Sequence, residues 1–328
     1  MTENDLTTAD CIRRYPGNPI LAAKDIPYKA TLVNNAAVCK FQGRYVMLFE
    51  NDYGDAEKRK LDGCNVGLAV SRDGFRWTPE PHPLNADPRH PLHGIRDPRM
   101  TVLDGRCYVT YWTFPARRGI CGGLAVTDDL DHWEVLSLSA PDNRNMVIFP
   151  ERIDGKLLRL ERPFASNCRP PGDRYDIWMS ASADGRYWGE TRLLLTCDEV
   201  PWCNDKIGPA APPVKTPKGW LTLFHAVDVD PSRKLGWYGD WNKRYTVGVM
   251  LLDLRDPARV IGLSRKPIIV PDPCHPYEME GYRGNVIFPC GMILEDDGGI
   301  KIYYGASDTV EALATSHVDD LLVLCDPR

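Results

Sequence analysis

Apolar residues along the chain come in short alternating runs, not in helical stripes. Five such runs open on a glycine: Gly43–Phe49, Gly105–Trp112, Gly155–Leu160, Gly219–His225 and Gly299–Tyr304. Alternation of this length predicts half-buried strands. Turn residues stand before most of the glycines (Leu103-Asp104, Ile153-Asp154, Pro217-Lys218, Asp296-Asp297-Gly298), so each run reads as the second strand of a hairpin. No window of about a dozen residues keeps a helical apolar period. Short helices are expected only in the N-terminal stretch and near Val318–Val323.

A second pattern recurs at nearly equal intervals: Ser71-Arg-Asp73-Gly-Phe-Arg-Trp77, Thr127-Asp-Asp129-Leu-Asp-His-Trp133 and Ser182-Ala-Asp184-Gly-Arg-Tyr-Trp188. Asp in a tight turn accepts backbone N–H bonds, and Trp packs back on the sheet. These are structural hairpin ends. Sheet units repeated without strong helices between them imply radial repetition. The expected fold is all-β: a five-bladed β-propeller with short helical terminal segments, forming one catalytic domain over residues 1–328.

Composition refines this picture. The 27 Gly and 28 Pro are scattered, which marks frequent turns and not a disordered tract. A net charge of −5 removes the electrostatic basis for a nucleic-acid partner. No apolar run nears the roughly 18 residues of a membrane span. Residues 1–15 are polar and do not read as a secretory signal. The 11 Cys are odd in number and include no C-x-x-C. They are expected as reduced, buried thiols of a cytoplasmic protein, without a zinc site. His82, His90 and His93 lack regular ligand spacing and belong to a Pro-rich loop before Asp97.

Candidate chemistry collects at the ends of the repeated strands: Glu50-Asn51-Asp52, Trp112-Thr113, Glu161-Arg162, His225, and Tyr304 followed by Asp308. Convergence of carboxylates, cations and aromatics at one end suits sugar recognition. The leading single candidate is Asp97 in Ile95-Arg96-Asp97-Pro98-Arg99, where Pro98 fixes the backbone. A turn Asp satisfied by backbone amides is the alternative. The Trp237–Trp241 loop reads equally as a sugar platform at the rim or as a packed hairpin tip. His275 and Tyr277 are further candidates for the pocket.

From Asn18 to Leu322 the chain resembles glycoside hydrolase family 130, the β-mannoside phosphorylases and related β-mannosidases. The resemblance is carried by Asn35-Ala-Ala-Val, Ile95–Thr101, Phe149-Pro-Glu151 with Glu161-Arg162-Pro-Phe, Lys206-Ile-Gly-Pro-Ala-Ala-Pro-Pro, the strand ending in His225, Asn285-Val-Ile-Phe-Pro, and Ile302–Thr309 with Asp308. It implies a propeller without a cofactor that cleaves β-manno-oligosaccharides or mannosyl glycosides with inversion, acting from the chain end. Homo-oligomerisation is compatible with it. By the resemblance Asp97 is the general acid, delivering its proton through a mannose hydroxyl. Asn35, Arg99, Glu161, Arg162, Lys206 and His225 are substrate or phosphate contacts, and Tyr304 and Asp308 sugar contacts.

At one position the chain departs from the phosphorylases. Glu50 stands where an Arg usually grips phosphate. A like-charge pair at about 4 Å costs on the order of 4 kcal/mol at an effective dielectric of 20. A carboxylate opposite the acid is what an inverting hydrolase uses to activate water. The expectation is therefore hydrolysis with Glu50 as base, or Glu161 in second place. Phosphorolysis with inorganic phosphate as co-substrate is the alternative, with Lys58, Arg59, Lys60 or Arg117 supplying the missing charge. Two further readings are a propeller glycosidase of another type, using Asp97 and Glu151, and a non-catalytic sugar-binding propeller.

Overall fold

The structure, a computed structural model, describes residues 6–115, 119–164 and 174–328. Five antiparallel sheets surround one axis as a five-bladed propeller. Blade 1 runs Leu32–Phe41, Arg44–Asp55, Lys60–Ser71, Thr78–Pro79. Blade 2 runs Arg96–Leu103, Arg106–Thr113, Cys121–Thr127, Glu134–Leu138. Blade 3 runs Asn143–Ile148, Leu157–Pro163, Ile177–Ser182, Gly189–Leu195. Blade 4 runs Lys206–Pro209 with Val214–Thr216, then Gly219–Val229, Lys243–Leu252, Val260–Leu263. Blade 5 runs Ile287–Leu294, Gly299–Ala306, Val310–His317.

The terminal segments complete two sheets. Arg13–Arg14 adds the outer strand of blade 5, and Asp326–Pro327 extends blade 4. The N-terminal stretch is thus an edge strand followed by a 3-10 turn at Ala23–Asp25, and not the expected helix. The tail helix lies at Val318–Val323, as expected. A four-residue helix at Pro276–Met279 had no signal in the apolar pattern.

Each glycine-opened run is the second strand of its blade. The first strands line the axis and pack on one another around it. Apolar faces meet between blades, as where Val46 and Leu48 of blade 1 pack with Met100 and Val109 of blade 2. The three Asp turns are structural. Asp73, Asp129 and Asp184 each accept two backbone N–H bonds, which lower their pKa.

Three inner strands share a device that shapes the site. Asn35, Asp97 and Asn145 have φ of 54°, 48° and 58°, and each falls in a register shift of its ladder. Asn and Asp tolerate this left-handed conformation better than other side chains. A bulge re-aims the side chain it carries. At the matching register, the neighbouring pairs are Asn34 with Glu50, Arg96 with Trp112, Arg144 with Arg162, and Gly208 with His225. One register repeated in four blades brings these side chains to a common end of the axis.

Candidate active site

That end of the axis is a pocket of about 370 Å³. Asn35, Glu50, Asp97, Trp112, Arg162, Lys206, His225 and Asp308 all line it, so most of the expected residues meet there.

Asp97 is held from two sides. Asn35 Nδ2 donates to Oδ1 at 2.8 Å, and Trp112 Nε1 donates to Oδ2 at 2.8 Å. Its backbone N–H donates to Glu50 Oε2 at 3.0 Å, and Arg99 Nη1 donates to its carbonyl at 2.6 Å. Arg99 is 1% exposed, donates also to the Ala210 carbonyl at 2.7 Å, and lies over the Phe288 ring. It is a prop beneath Asp97, off the pocket wall.

Glu50 is 3% exposed, and both of its oxygens are engaged. Arg96 Nη1 donates to one and the Asp97 amide to the other. Arg96 Nη2 also donates to Asp52 at 2.7 Å. Burial, with Asp97 and Asp52 nearby, pushes Glu50 up to about 8 against the pull of Arg96. Glu50 therefore braces the Arg96–Asp97 bulge. In blade 5 burial and Asp97 push Asp308 up to about 7.

The opposite wall is cationic. Arg144, Arg162, Lys206 and Lys243 line it, and Asp205 lies 3.3 Å from Lys206 and 2.8 Å from Lys243. Burial and Arg144 push Arg162 down to about 9. Burial and Arg162 lower Lys206 as well. Arg162 Nη1 lies 3.0 Å from His225 Nε2. A guanidinium only donates, so Nε2 accepts and Nδ1 carries the proton. Burial and the surrounding cations hold His225 neutral, well below its ordinary range. Among the described residues, Arg144 Nε, Arg162 Nε and His225 Nδ1 are buried donors without a partner. Three unanswered N–H groups in a cationic wall form a receptor for a multivalent anion.

Gly208 is required by this geometry. A Cβ there would sit 2.5 Å from His225 Cε1 and 3.1 Å from Arg162 Nη1.

Tyr304 and Glu161 are not in the pocket. Tyr304 donates to Glu278 at 2.8 Å inside the core. The blade 5 strand continues to Ala306, and the pocket residue is Asp308, in a left-handed turn at φ 47°. Glu161 accepts from Arg159 at 2.7 Å and from Asn143 at 2.8 Å, because strand alternation turns it away from its neighbour Arg162. Glu151 pairs with Lys215 on the surface, which removes the second carboxylate of the alternative glycosidase reading. His275 and Tyr277 lie outside the pocket lining.

The charge that Glu50 does not supply comes from Arg144, which the strand-end pattern missed. Lys58 and Lys60 are exposed and face Asp55 and Asp62, and Arg59 donates to the Trp237 carbonyl. Arg117 lies outside the described residues. The sequence does carry a signal for the missed residues. Asn34-Asn35, Arg96-Asp97 and Arg144-Asn145 are polar-Asx pairs that open the three bulges. The Trp237–Trp241 loop forms part of the rim: Trp241 lines the pocket, stacked on Tyr245 at 5.9 Å and covered by Arg283 at 4.8 Å.

Comparison with known proteins agrees with this geometry. The sequence pattern of glycoside hydrolase family 130, described as beta-1,4-mannooligosaccharide phosphorylase, matches residues 7–327. A 1,2-beta-oligomannan phosphorylase of Thermoanaerobacter sp. (strain X514) is 30% identical, covering 94% of this chain and 98% of its own. A beta-1,4-mannooligosaccharide phosphorylase of Ruminococcus albus is 28% identical, covering 96% and 91%. The solved beta-1,2-mannobiose phosphorylase of Listeria innocua, in complex with beta-1,2-mannobiose, has a TM-score of 0.79 at 25% identity, covering 95% and 98%. These names favour the phosphorolytic alternative over the hydrolytic expectation. The chain belongs to glycoside hydrolase family 130 and is an enzyme of the β-mannoside-cleaving type.

Proposed function

We propose that the chain catalyses inverting phosphorolysis of β-linked manno-oligosaccharides, releasing mannose 1-phosphate. The observation that carries this reading is the wall of Arg144, Arg162, Lys206 and neutral His225. Among the described residues three of its buried donors, Arg144 Nε, Arg162 Nε and His225 Nδ1, lack partners, and it stands beside an Asp held by two side-chain donors. Phosphate is the co-substrate; its oxygens accept from Arg144, Arg162, Asn145, Lys206 and His225 Nδ1–H. One oxygen attacks the anomeric carbon from the side opposite the glycosidic oxygen. The C1–O bond to the leaving sugar breaks as the C1–O bond to phosphate forms. Asp97 supplies the proton that the leaving oxygen needs, through a mannose hydroxyl as the family resemblance implies. Asn35 and Trp112 fix its carboxyl plane for that transfer.

Glu50 is poorly suited to be a hydrolytic base. Its oxygens are engaged by Arg96 and the Asp97 amide, and burial favours its neutral form. The named activities of the relatives support the same choice. Incubation with β-1,2- and β-1,4-mannobiose, with and without phosphate, tests it. Phosphate-dependent mannose 1-phosphate is the expected product; free mannose formed at a rate indifferent to phosphate would refute the proposal.

A further inference from the structure

We infer that Cys197 and Cys203 form a redox pair: a peroxide joins them in a disulfide, and the bond weakens the hold on Lys206. The coupling to Lys206 rests on the phosphorolytic reading, whereas the disulfide itself does not.

Cys197 opens a 3-10 turn, Cys197–Glu199, and Cys203 follows four residues after that turn. The two sulfurs lie 2.8 Å apart, close to bonding range, with the residues 1% and 6% exposed. Cys203 borders a surface cleft of about 360 Å³, lined also by Leu6, Trp202 and Asn204, through which a small oxidant reaches it. Arg174 stands beside the pair, with Nη1 3.3 Å from the Cys203 carbonyl. The Cys197 thiol, 2.8 Å away, lowers the pKa of the Cys203 thiol, while Cys197 is shifted the other way. Cys203, the member of the pair that borders the cleft, is the sulfur that attacks once its proton leaves.

The Cys203 thiolate attacks one peroxide oxygen, the O–O bond breaks, and the departing hydroxide takes a proton to become water. Cys197 then attacks the resulting sulfenic acid at sulfur. The S–S bond forms, the S–O bond breaks, and a second water leaves. Both thiols are oxidised and the peroxide is reduced.

The consequence travels three residues. The Cys203 sulfur lies 3.1 Å from the Lys206 carbonyl and 3.2 Å from the Val227 carbonyl, and its S–H is the donor to them. Oxidation removes that proton. Lys206 stands at the head of the inner strand of blade 4 and lines the pocket. Loss of the anchor is expected to raise the phosphate KM severalfold, with kcat at saturating phosphate unchanged.

The full-length enzyme, treated with hydrogen peroxide or with dithiothreitol, provides the test. Both cysteines fall in one tryptic peptide, residues 193–206. In the oxidised enzyme that peptide is expected to be lighter by two hydrogens, and dithiothreitol is expected to restore it. The phosphate KM should rise in the wild type and stay constant in Cys203→Ser, which keeps a hydroxyl donor and has no thiol at that position to oxidise. A peptide that keeps two thiols, or gains oxygen without cross-linking, overturns the redox pair. A cross-link that leaves the phosphate KM unmoved overturns the coupling to Lys206. Absence of phosphate-dependent activity in the reduced wild type would instead refute the phosphorolytic reading, with the mass readout still deciding the disulfide.

Discussion

Replacing Arg162 by Met separates phosphate binding from folding. Arg162 is 2% exposed, donates to His225, and keeps its Nε without a partner among the described residues. Burial and Arg144 push its pKa down to about 9, so the empty site holds this charge against its preference. A charged hydrogen bond contributes about 1.5–3 kcal/mol. At about 1.4 kcal/mol per tenfold, the phosphate KM should rise roughly ten- to a hundredfold. The KM for the saccharide should change far less. Thermal stability without phosphate should hold or rise, because the variant removes a buried cation that faces another, Arg144. The gain in melting temperature on adding phosphate should shrink in step with the lost affinity. Arg162→Lys keeps a charge but loses the planar fork, and should fall between Met and wild type. Initial rates against phosphate concentration and melting curves with and without phosphate measure both effects. A phosphate KM within about twofold of wild type, together with an undiminished phosphate-induced shift, would refute the assignment of the cationic wall.

Gly208→Ala places a Cβ within 2.6 Å of His225 Nε2 and should raise the phosphate KM while leaving the fold intact; unchanged kinetics would show that His225 moves aside freely. Asp97→Asn should lower kcat by at least about a hundredfold with saccharide binding retained, measured by kinetics and calorimetry; near wild-type turnover would remove Asp97 as the acid. Glu50→Gln should flatten the dependence of stability on pH. The folded state raises Glu50 from 4.5 to about 8, so its contribution is complete below pH 4.5 and is lost as pH rises toward about 8. Parallel melting-temperature profiles for wild type and variant would contradict this; the raised Asp308 and Glu311 leave a residual slope in both.

Much of this architecture is legible in the chain because a propeller repeats its signals. Alternating runs behind glycines mark the second strand of each blade, and the Asp–Trp turns mark three hairpin ends. The inner strands are harder to read. They are buried on all sides and interrupted by bulges, so their pattern is neither alternating nor continuous. Arg144 and Asn145 carry no strand-end signal for that reason. Position along a strand also misleads where the strand overruns its apolar core. Tyr304 looked terminal, yet the chain reaches the pocket only at Asp308. Alternation separates Glu161 from Arg162, although they are adjacent in sequence. The charge of Glu50 reads correctly as unfavourable to phosphate if it stood alone, but its partner Arg96 changes its role. Only a structure reveals such pairings, because they join residues from two blades.

The central claim is that phosphate, held by Arg144, Arg162, Lys206 and His225, is the nucleophile. Following the anomeric signals of a β-mannobiose reaction by NMR, with phosphate present and then omitted, tests it most directly. Mannose 1-phosphate of inverted configuration, formed only with phosphate, is the expected product. Free mannose appearing at equal rates in both reactions would contradict the claim.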